Sequence, residues 1–506
     1  MIIFATMENG PTKSPFAEIP DEDWARTPQT VVRAFENLLQ HLHQLEDRIC
    51  KLEEENQYLR EQLARNSNNT SLPPSTDKPG VARNRPIPSH KQRGGQAGHK
   101  GHKRELIPTD QCQKVVDHFP KACRQCGTEL SGKDPHPIRH QVVEVPEITP
   151  YVAEHRRHRL QCSSCGRSTC ASLPEDIPHS GYGPRAVAVV NLLCGVFRTS
   201  ERMAQLAMRD IFQVNISLGC IDALRQEASQ AVAESVEEAR EFVQQQDVIY
   251  ADETGFPQGN SDGHNPEGRK GWLWVAVTSW VVAFRISLSR GMDSAKSLLG
   301  DAATVVCDRW NAYNWVRVRQ FCWAHLKREF QKIAERSGAS KEIGEELLKE
   351  ERKLFEYYNR VRDGTLKRSS FINYAGKIRQ RIRELLQQGA DYTPERGDQS
   401  ERARTFRTCR DLLKVERHMW LFVRREDVEP TNNFAEQSVR HAVIWRKTSM
   451  GSQSVKGSEY VARMMTVVMT LRKQKRNVLE FMTQAIDNAR NNIETPSLLP
   501  DATFHQ

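Results

Sequence analysis

The sequence lacks any apolar run long enough to cross a membrane, which argues against an integral membrane protein. The longest candidate, residues 272–284, is interrupted by Thr278 and Ser279 and therefore predicts two strands. The N-terminus lacks a basic segment followed by an apolar core, so we expect no secretory signal and a cytoplasmic location. In reducing cytoplasm, closely spaced pairs among the 12 cysteines indicate metal binding rather than disulfides.

Basic residues only slightly outnumber acidic ones: the chain has 73 Lys and Arg and 64 Asp and Glu, which gives a net charge of +9. This modest excess points toward an anionic partner, and its distribution along the chain matters more than its size. With 506 residues and 38% hydrophobic content, the chain can bury several cores. We therefore predict a multidomain α+β protein.

Residues 28–65 predict a coiled coil, because apolar side chains recur at every seventh position. The predicted d positions are Leu38, Leu45, Leu52 and Leu59, and the a positions are Phe35, Leu42, Ile49, Asn56 and Leu63. A lone asparagine at an a position fixes the register of a parallel pair, which favours a homodimer. The alternative is an amphipathic helix that packs within its own chain.

Residues 66–108 predict a basic flexible linker, since Asn, Ser, Pro and Gly dominate and apolar residues are few. Between residues 81 and 104 the linker carries basic side chains and no acidic ones, which suits contact with a phosphate backbone. The DNA-binding candidates in this segment are Arg83, Arg85, Lys91, Arg93, Lys100, Lys103 and Arg104. A merely solvated linker is the alternative.

Residues 109–175 predict a zinc-binding module, because two Cys-x-x-Cys-Gly units follow one another. The predicted ligands are Cys123, Cys126, Cys162 and Cys165, four thiolates that leave no open position and so indicate a structural zinc. Apolar residues between the two units predict strands and a ribbon-like fold; these are Val142, Val143, Val145 and Ile148. Cys112 and Cys170 lie nearby but are not predicted to be zinc ligands.

Residues 176–240 are helical in pattern and contain a possible helix-turn-helix for DNA binding. Its second helix is predicted to begin near Ser217, and Gln213 occupies the turn position that often carries glycine. An ordinary helical packing unit explains the same pattern.

Residues 241–326 predict the first part of a ribonuclease-H-like α/β catalytic core, because two apolar strands run directly into Asp252 and Asp308. Between them lie two further strands, 272–277 and 281–287, and a helix over 294–299, the opening order of a ribonuclease-H-like sheet. Carboxylates at neighbouring strand ends can share Mg²⁺. Glu253 is predicted to face away from Asp252, because strand side chains alternate.

Residues 327–428 predict a helical insertion, residues 429–490 the second part of the core, and residues 491–506 a C-terminal tail. A helix beginning after Pro430 supplies the third acid, Glu436. On this helix, side chains three and four residues apart lie on the same face. That face carries Asn432, Asn433, Glu436 and Arg440. The alternative role of Glu436 is a capping box with Asn433 as the N-cap.

Several motifs together resemble full-length transposases of the insertion sequence 66 family, within the DDE superfamily. They include Gly94-Gly-Gln-Ala-Gly-His-Lys-Gly101, the two cysteine units, Ala251-Asp-Glu-Thr-Gly255, Asp308-Arg-Trp-Asn-Ala-Tyr313, Cys322-Trp-Ala-His-Leu-Lys-Arg328, Asn432-Asn-Phe-Ala-Glu436, and Arg446-Lys447 with Gly451-Ser452. The resemblance spans nearly the whole chain. Gln437 and Thr448 depart from the family pattern, which bears on DNA contacts more than on the class of protein.

The resemblance implies a prokaryotic DNA transposase whose catalytic triad is Asp252, Asp308 and Glu436, with two Mg²⁺ or Mn²⁺ ions. The implied reaction is hydrolysis at the element's 3′ ends, followed by attack of the freed 3′ hydroxyls on double-stranded target DNA. Small accessory proteins encoded nearby are implied as partners. The alternatives are a non-catalytic DNA-binding regulator derived from a transposase, and a ribonuclease-H-like nuclease without strand transfer.

The resemblance also puts a Cys-x-x-His element on Cys322 and His325. This pair resembles half of a zinc site, but no second half is evident in the neighbouring sequence, so packing or positioning near the active site is favoured. A positioning role is also predicted for Asn432 and Asn433. Candidates for gripping DNA near the site are Arg440, Arg446 and Lys447. A solvated basic helix end is their alternative role.

Overall fold

The computed structural model describes residues 19–64, 104–174, 177 and 181–500, which belong to two units, 1–89 and 90–506. Most basic candidates of the predicted linker therefore lie outside the described residues; these are Arg83, Arg85, Lys91, Arg93, Lys100 and Lys103. The remaining one, Arg104, is exposed and donates a hydrogen bond to the carbonyl of Gln141 at 2.8 Å. No helix in the described ranges is both long enough and apolar enough to span a bilayer.

The first unit contains a short helix, α1 (Asp21–Ala25), and a helix of 36 residues, α2 (Gln29–Ala64). The predicted heptad leucines of α2 are exposed, with 56% of Leu38, 55% of Leu45, 55% of Leu52 and 51% of Leu59 accessible. We call these leucines and the exposed a-position residues the heptad stripe; the latter are Phe35, Leu42, Ile49, Asn56 and Leu63. The helix is confirmed, and the apolar stripe is not covered by the described part of its own unit.

The second unit begins with the cysteine-rich segment, where regular structure is short. Strands β1 (Arg159–Gln161) and β2 (Ser168–Cys170) pair antiparallel on either side of the second Cys-x-x-Cys unit. The strands predicted around Val142, Val143 and Val145 are wrong: these side chains are 82%, 60% and 75% exposed, and residues 142–148 are not in a strand. Apolar residues form a strand only when a partner strand and a covering layer are available, and this segment has neither among the described residues.

Four helices follow, α3 (Pro184–Asn191), α4 (Glu201–Asp210), α5 (Leu218–Ala231) and α6 (Ala233–Gln244), which confirms the helical pattern of this region. Ser217 is the N-cap of α5, and its hydroxyl accepts from the Cys220 N–H at 3.2 Å. Gln213 adopts a positive φ of 55° in the turn between α4 and α5. That backbone conformation is the one for which glycine is usual, as the sequence pattern anticipated.

A five-stranded mixed sheet forms the centre of the second unit. Its strands are β3 (Val248–Gly255), β4 (Trp272–Val277), β5 (Val282–Ser287), β6 (Thr304–Cys307) and β7 (Val318–Phe321), with helix α7 (Met292–Leu299) between β5 and β6. Their order is β5-β4-β3-β6-β7. Strand β4 is antiparallel to both neighbours, whereas β3, β6 and β7 run parallel. The first four strands and the helix confirm the predicted order of elements.

Strand β7 was not predicted, because two of its four residues are polar. Arg319 and Gln320 are nevertheless buried, and each finds polar partners outside the sheet. Arg319 donates to Asn314 at 2.7 Å, while the Gln320 amide donates to the Met419 carbonyl at 3.1 Å and accepts from the Phe422 N–H at 3.0 Å. A buried polar strand satisfied by distant groups leaves no apolar pattern to detect.

Helices make up most of the remaining chain. They are α8 (Trp323–Ala334), α9 (Gly338–Arg362), α10 (Arg368–Ala390), α11 (Glu401–Val415), α12 (Leu421–Arg424), α13 (Asn433–Ser449), α14 (Val455–Lys473) and α15 (Val478–Arg490). The stretch predicted as an insertion is thus helical, and aromatic rings around Trp323 fill its core. Helix α14 covers the edge strand β5, where the hydroxyls of Thr466 and Thr470 accept from backbone N–H groups at 3.0 and 3.1 Å. These bonds satisfy edge groups that would otherwise be exposed for pairing.

Candidate active site

The two predicted aspartates lie beside each other at one end of the parallel strands. Asp252 is on β3, and Asp308 directly follows β6. The parallel register pairs Tyr250 with Val306, so its continuation by two residues puts Asp252 opposite Asp308. Adjacent strands are about 4.8 Å apart, which is close enough for two carboxylates to share cations.

Glu436 reaches the same region from the first turn of α13. The side-chain amide of the buried Asn432 donates to the carbonyl of Ala251 at 2.7 Å, one residue before Asp252. This bond fixes the start of α13 against β3. The capping-box alternative is wrong, because Asn432 rather than Asn433 occupies the N-cap and its side chain makes no capping hydrogen bond. Asn433 is exposed.

The charges of the neighbouring acids act on Asp252. Burial raises the pKa of Asp252 well above its ordinary value, and the charges of Glu253, Asp308 and Glu436 raise it further. Burial also raises the pKa of Asp308. Carboxylates that lie close together repel one another when they are ionised and create a region of negative potential. A bound cation offsets this repulsion.

Backbone hydrogen bonds orient one oxygen of each aspartate. Oδ1 of Asp252 accepts from the Glu253 N–H at 2.9 Å, and Oδ1 of Asp308 accepts from the Trp310 N–H at 2.8 Å. The acids are half-buried, so solvent and ligands can reach them. Hard oxygen ligands with partial access fit Mg²⁺ or Mn²⁺, which retain water and bind phosphate oxygens.

Cys322 and His325 adjoin Glu436 rather than the aspartates. The Cys322 thiol donates to Oε1 of Glu436 at 3.5 Å, and Nδ1 of His325 lies 3.6 Å from the same oxygen. Within the part of the chain that the structure describes, these residues make the one set of three whose ligand atoms lie within 4.8 Å of one another. Asp252 and Asp308 are not in that set. The partner that the sequence did not reveal for Cys322 and His325 is therefore Glu436, from a different helix.

Burial dominates the ionisation of this pair. It raises the pKa of the Cys322 thiol to about 12, and the charge of Glu436 adds to the rise. Burial lowers the pKa of His325 to about 4, assisted by the positive charges of Arg328 and Arg309. At neutral pH the imidazole is uncharged, and the thiol keeps its proton.

A buried network around Glu253, the residue after Asp252, was missed by sequence reasoning. Glu253 accepts from Nη2 and Nε of Arg290 at 2.6 and 3.0 Å, and from the Tyr313 hydroxyl at 2.6 Å. The guanidinium of Arg290 lies 3.8 Å from the ring centre of Trp310 and 4.6 Å from that of Trp272. Trp310 and Tyr313 belong to the motif that starts at Asp308, and this motif was the feature of the sequence from which the network could have been inferred. Glu253 thus has partners of its own, and its exclusion from the acid triad stays a prediction.

The basic candidates near the site differ in their surroundings. Arg440 and Lys447 are exposed. Arg446 is half-buried, and its guanidinium donates to the hydroxyl of Thr254, at 3.2 Å, and to the carbonyl of Gly255. Arg446 is thus attached to the end of β3, whereas the other two side chains remain accessible to a ligand.

The two cysteine units adopt the same turn. In the first, the Gly127 N–H donates to the Cys123 carbonyl at 2.9 Å; in the second, the Gly166 N–H donates to the Cys162 carbonyl at 2.9 Å. Both glycines have positive φ, 76° and 70°, a backbone conformation that glycine adopts without strain in a tight turn. A hydrogen bond to Thr128 lowers the pKa of Cys126 to about 7. The structure does not gather sulfurs of both units into one set within 4.8 Å.

Comparison with known protein families gives two matches. The family described as "Transposase IS66 family" matches residues 179–460, more than half of the 506 residues, and this range contains the three acids together with Cys322 and His325. A "Family of unknown function (DUF6444)" matches residues 17–105, which include the heptad stripe. No curated protein matches the chain.

Proposed function

Because the chain belongs to the IS66 family of transposases, we propose that it binds the ends of an insertion element and catalyses metal-dependent strand cleavage and strand transfer. The observation that carries this proposal is the convergence of Asp252, Asp308 and Glu436, which come from two parallel strands and a helix pinned to one of them. Three carboxylates held in this way by a rigid sheet suit phosphodiester chemistry.

The strand order supports a ribonuclease-H-like catalytic core. Three antiparallel strands in sequence, a helix, and two parallel strands on the far side of β3 put both aspartates in the middle of the sheet. The helices from α8 to α12 then separate this half of the core from α13, which fits a helical insertion over residues 327–428.

Asp252, Asp308 and Glu436 would hold the two Mg²⁺ or Mn²⁺ ions. Bound there, the cations supply positive charge to the attacking and leaving oxygens of a phosphodiester. The chain's own part is positional: backbone N–H groups fix one oxygen of each aspartate, and the Asn432 amide fixes the helix that carries Glu436. Arg440 and Lys447 offer accessible charge to the DNA backbone.

A joint cleavage and joining assay tests the proposed function. Purified protein is incubated with DNA carrying the element's ends, a target plasmid, and Mg²⁺ or Mn²⁺. We expect nicking at the 3′ ends and covalent joining of those ends to the plasmid. Cleavage without joining would indicate a nuclease, and binding without cleavage would indicate a regulator; either result contradicts the proposal.

We also propose that the heptad stripe pairs two chains as a parallel coiled coil, which would bring two element ends together. Replacing Leu45 and Leu52 with aspartate puts charges into the predicted seam, so we expect the dimer to dissociate to a 58.0 kDa monomer in sedimentation equilibrium. The matched control carries aspartate at Gln44 and Lys51, exposed positions outside the seam, and should remain dimeric. A wild-type monomer, or a dimer of the leucine variant, would refute the pairing.

The remaining parts of the proposal concern DNA contacts and partners. The matching turns of the two cysteine units support a structural zinc held by Cys123, Cys126, Cys162 and Cys165. The helices α4 and α5, with a capped second helix, support a helix-turn-helix DNA contact. Membership of the family supports activity in a prokaryotic cytoplasm, assisted by small proteins encoded nearby.

A further inference from the structure

We propose that Cys322, His325 and Glu436 form a binding site for one zinc ion, and that zinc bound there withdraws Glu436 from the magnesium-binding acids. The proposed zinc site is argued from the geometry of these three side chains alone. The withdrawal of Glu436 rests on the proposed function, because it needs Glu436 to serve in DNA cleavage.

Two of the three separations between ligand atoms already suit a tetrahedral ion, and the third, between Cys322 and His325, is within 4.8 Å. With a Zn–S bond of about 2.3 Å and Zn–N and Zn–O bonds of about 2.0 Å, tetrahedral ligands stand about 3.3 to 3.6 Å apart. In the structure, the Cys322 sulfur lies 3.5 Å from Oε1 of Glu436, and Nδ1 of His325 lies 3.6 Å from that oxygen. Little movement is needed for the three to close around a cation.

An unsatisfied nitrogen also points to a missing ligand. Nδ1 of His325 is buried and has no hydrogen-bond partner among the described residues, although it faces the Glu436 carboxylate. A buried polar atom without a partner costs free energy, and coordination of a metal would satisfy it. The rest of the imidazole is partly accessible, with 33% of the side chain exposed, so an ion can enter from solvent.

The type of ligand selects the metal. A thiolate and an imidazole favour zinc over magnesium, which prefers carboxylate oxygens and water. Three protein ligands leave a fourth position open for water, and binding releases the Cys322 thiol proton to solvent. The positive charges of Arg309 and Arg328 near His325 oppose binding, while the nearby acids Asp252 and Asp308 favour it.

The site would make Glu436 a shared ligand. Its Oε1 faces Cys322 and His325, and its charge also acts on Asp252, so the carboxylate stands between a soft and a hard cation site. Zinc that fixes Oε1 in the first site removes an oxygen from the second. Zinc would therefore inhibit magnesium-dependent cleavage without occupying the aspartates.

The zinc content of the full-length chain tests the site directly. Wild-type protein, Cys322→Ser and His325→Gln are dialysed against the same buffered free zinc in the absence of magnesium and DNA, and bound zinc is measured by elemental analysis. We expect both variants to hold one equivalent less than the wild type. Cys409→Ser, which alters a buried thiol on α11, should match the wild type. Equal zinc contents in all four proteins would overturn the proposal.

The inhibitory role is tested separately, by the ratio of cleavage with and without zinc within each protein. We expect zinc to reduce wild-type cleavage at least about tenfold and to have less than about twofold effect in His325→Gln, because a carboxylate held by zinc is lost to magnesium. Equal inhibition of both proteins would refute the shared-ligand role. If the wild type does not cleave DNA at all, the proposed function fails, while the difference in zinc content still decides the site.

Discussion

Replacing Asp252 with asparagine is expected to reduce DNA cleavage at least about 1,000-fold, a loss of about 4 kcal/mol of transition-state stabilisation, because a neutral amide binds divalent cations poorly. The charges of Asp308 and Glu436 both act on Asp252, which makes it the acid that the other two proposed metal ligands share as a neighbour. Binding of the element's ends should remain within about twofold, since phosphate contacts made elsewhere dominate affinity.

The same substitution should leave the fold equally stable or more stable. The pKa of Asp252 is raised in the folded chain, so its contribution to stability is present below the unfolded pKa and is lost as pH rises through the folded pKa. At neutral pH the carboxyl of Asp252 therefore destabilises the metal-free fold relative to a side chain that does not ionise, and asparagine removes that cost. We expect an unchanged or higher Tm in thermal unfolding without metal.

The control for this prediction is Asp247→Asn, which removes an exposed carboxylate immediately before the same strand. Cleavage is measured with end-labelled DNA and Mg²⁺, binding with gel shifts in Ca²⁺, and Tm by calorimetry. Asp247→Asn should cleave like the wild type. Undiminished cleavage by Asp252→Asn would remove the carboxylate from the proposed mechanism, and a large fall in Tm would mean that the lost activity reflects unfolding.

The acids were predictable from sequence because each stands where an apolar segment ends. Strand β6 is fully buried and ends just before Asp308, whereas β3 continues for three residues past Asp252, so Asp252 ends the apolar part of its strand and not the strand itself. The parallel pairing of β3 with β6 brings these two positions near each other. For Glu436 the sequence left two roles open, a third acid or part of a capping box, because both begin a helix in the same way. The hydrogen bond from Asn432 to Ala251 distinguishes these roles.

Features that depend on distant partners could not be predicted in the same way. Cys322 and His325 carry the pattern of half a metal site, but their third ligand comes from α13, after the intervening helices. Strand β7 could not be predicted, because the buried Gln320 side chain accepts a hydrogen bond from the distant Phe422 N–H and the strand therefore has no apolar pattern. Conversely, the apolar residues around Val143 predicted a strand that does not form, since a local pattern does not supply a partner strand.

Replacing Arg290 with alanine is expected to destabilise the fold by about 3 kcal/mol, the lower end of the cost of leaving a buried charge unpaired. Arg290 forms an ion pair with Glu253, whose side chain is only 1% exposed, and its guanidinium lies against two tryptophan rings. We choose the lower value because 32% of the Arg290 side chain is accessible, so solvent weakens the pair. Urea unfolding monitored by tryptophan fluorescence measures the change.

The direction of the pH dependence separates charge from lost packing. Burial already raises the pKa of Glu253, and removing Arg290 raises it further. A raised folded pKa gives stability that is present at low pH and lost as pH rises, so the deficit of Arg290→Ala should shrink as pH falls toward the ordinary pKa of glutamate. Adding Glu253→Gln should recover part of the loss at neutral pH, because no charge is then left unpaired.

Arg209→Ala is the matched control, since its ion pair with Asp210 is exposed, and it should unfold like the wild type. If Arg290→Ala also unfolds like the wild type, the Glu253 network does not support the sheet. If the deficit is the same at every pH and persists in the double variant, the effect comes from the tryptophan contacts rather than from charge. The expected pattern would mean that the charge of Arg290 compensates the buried carboxylate of Glu253, the residue next to Asp252.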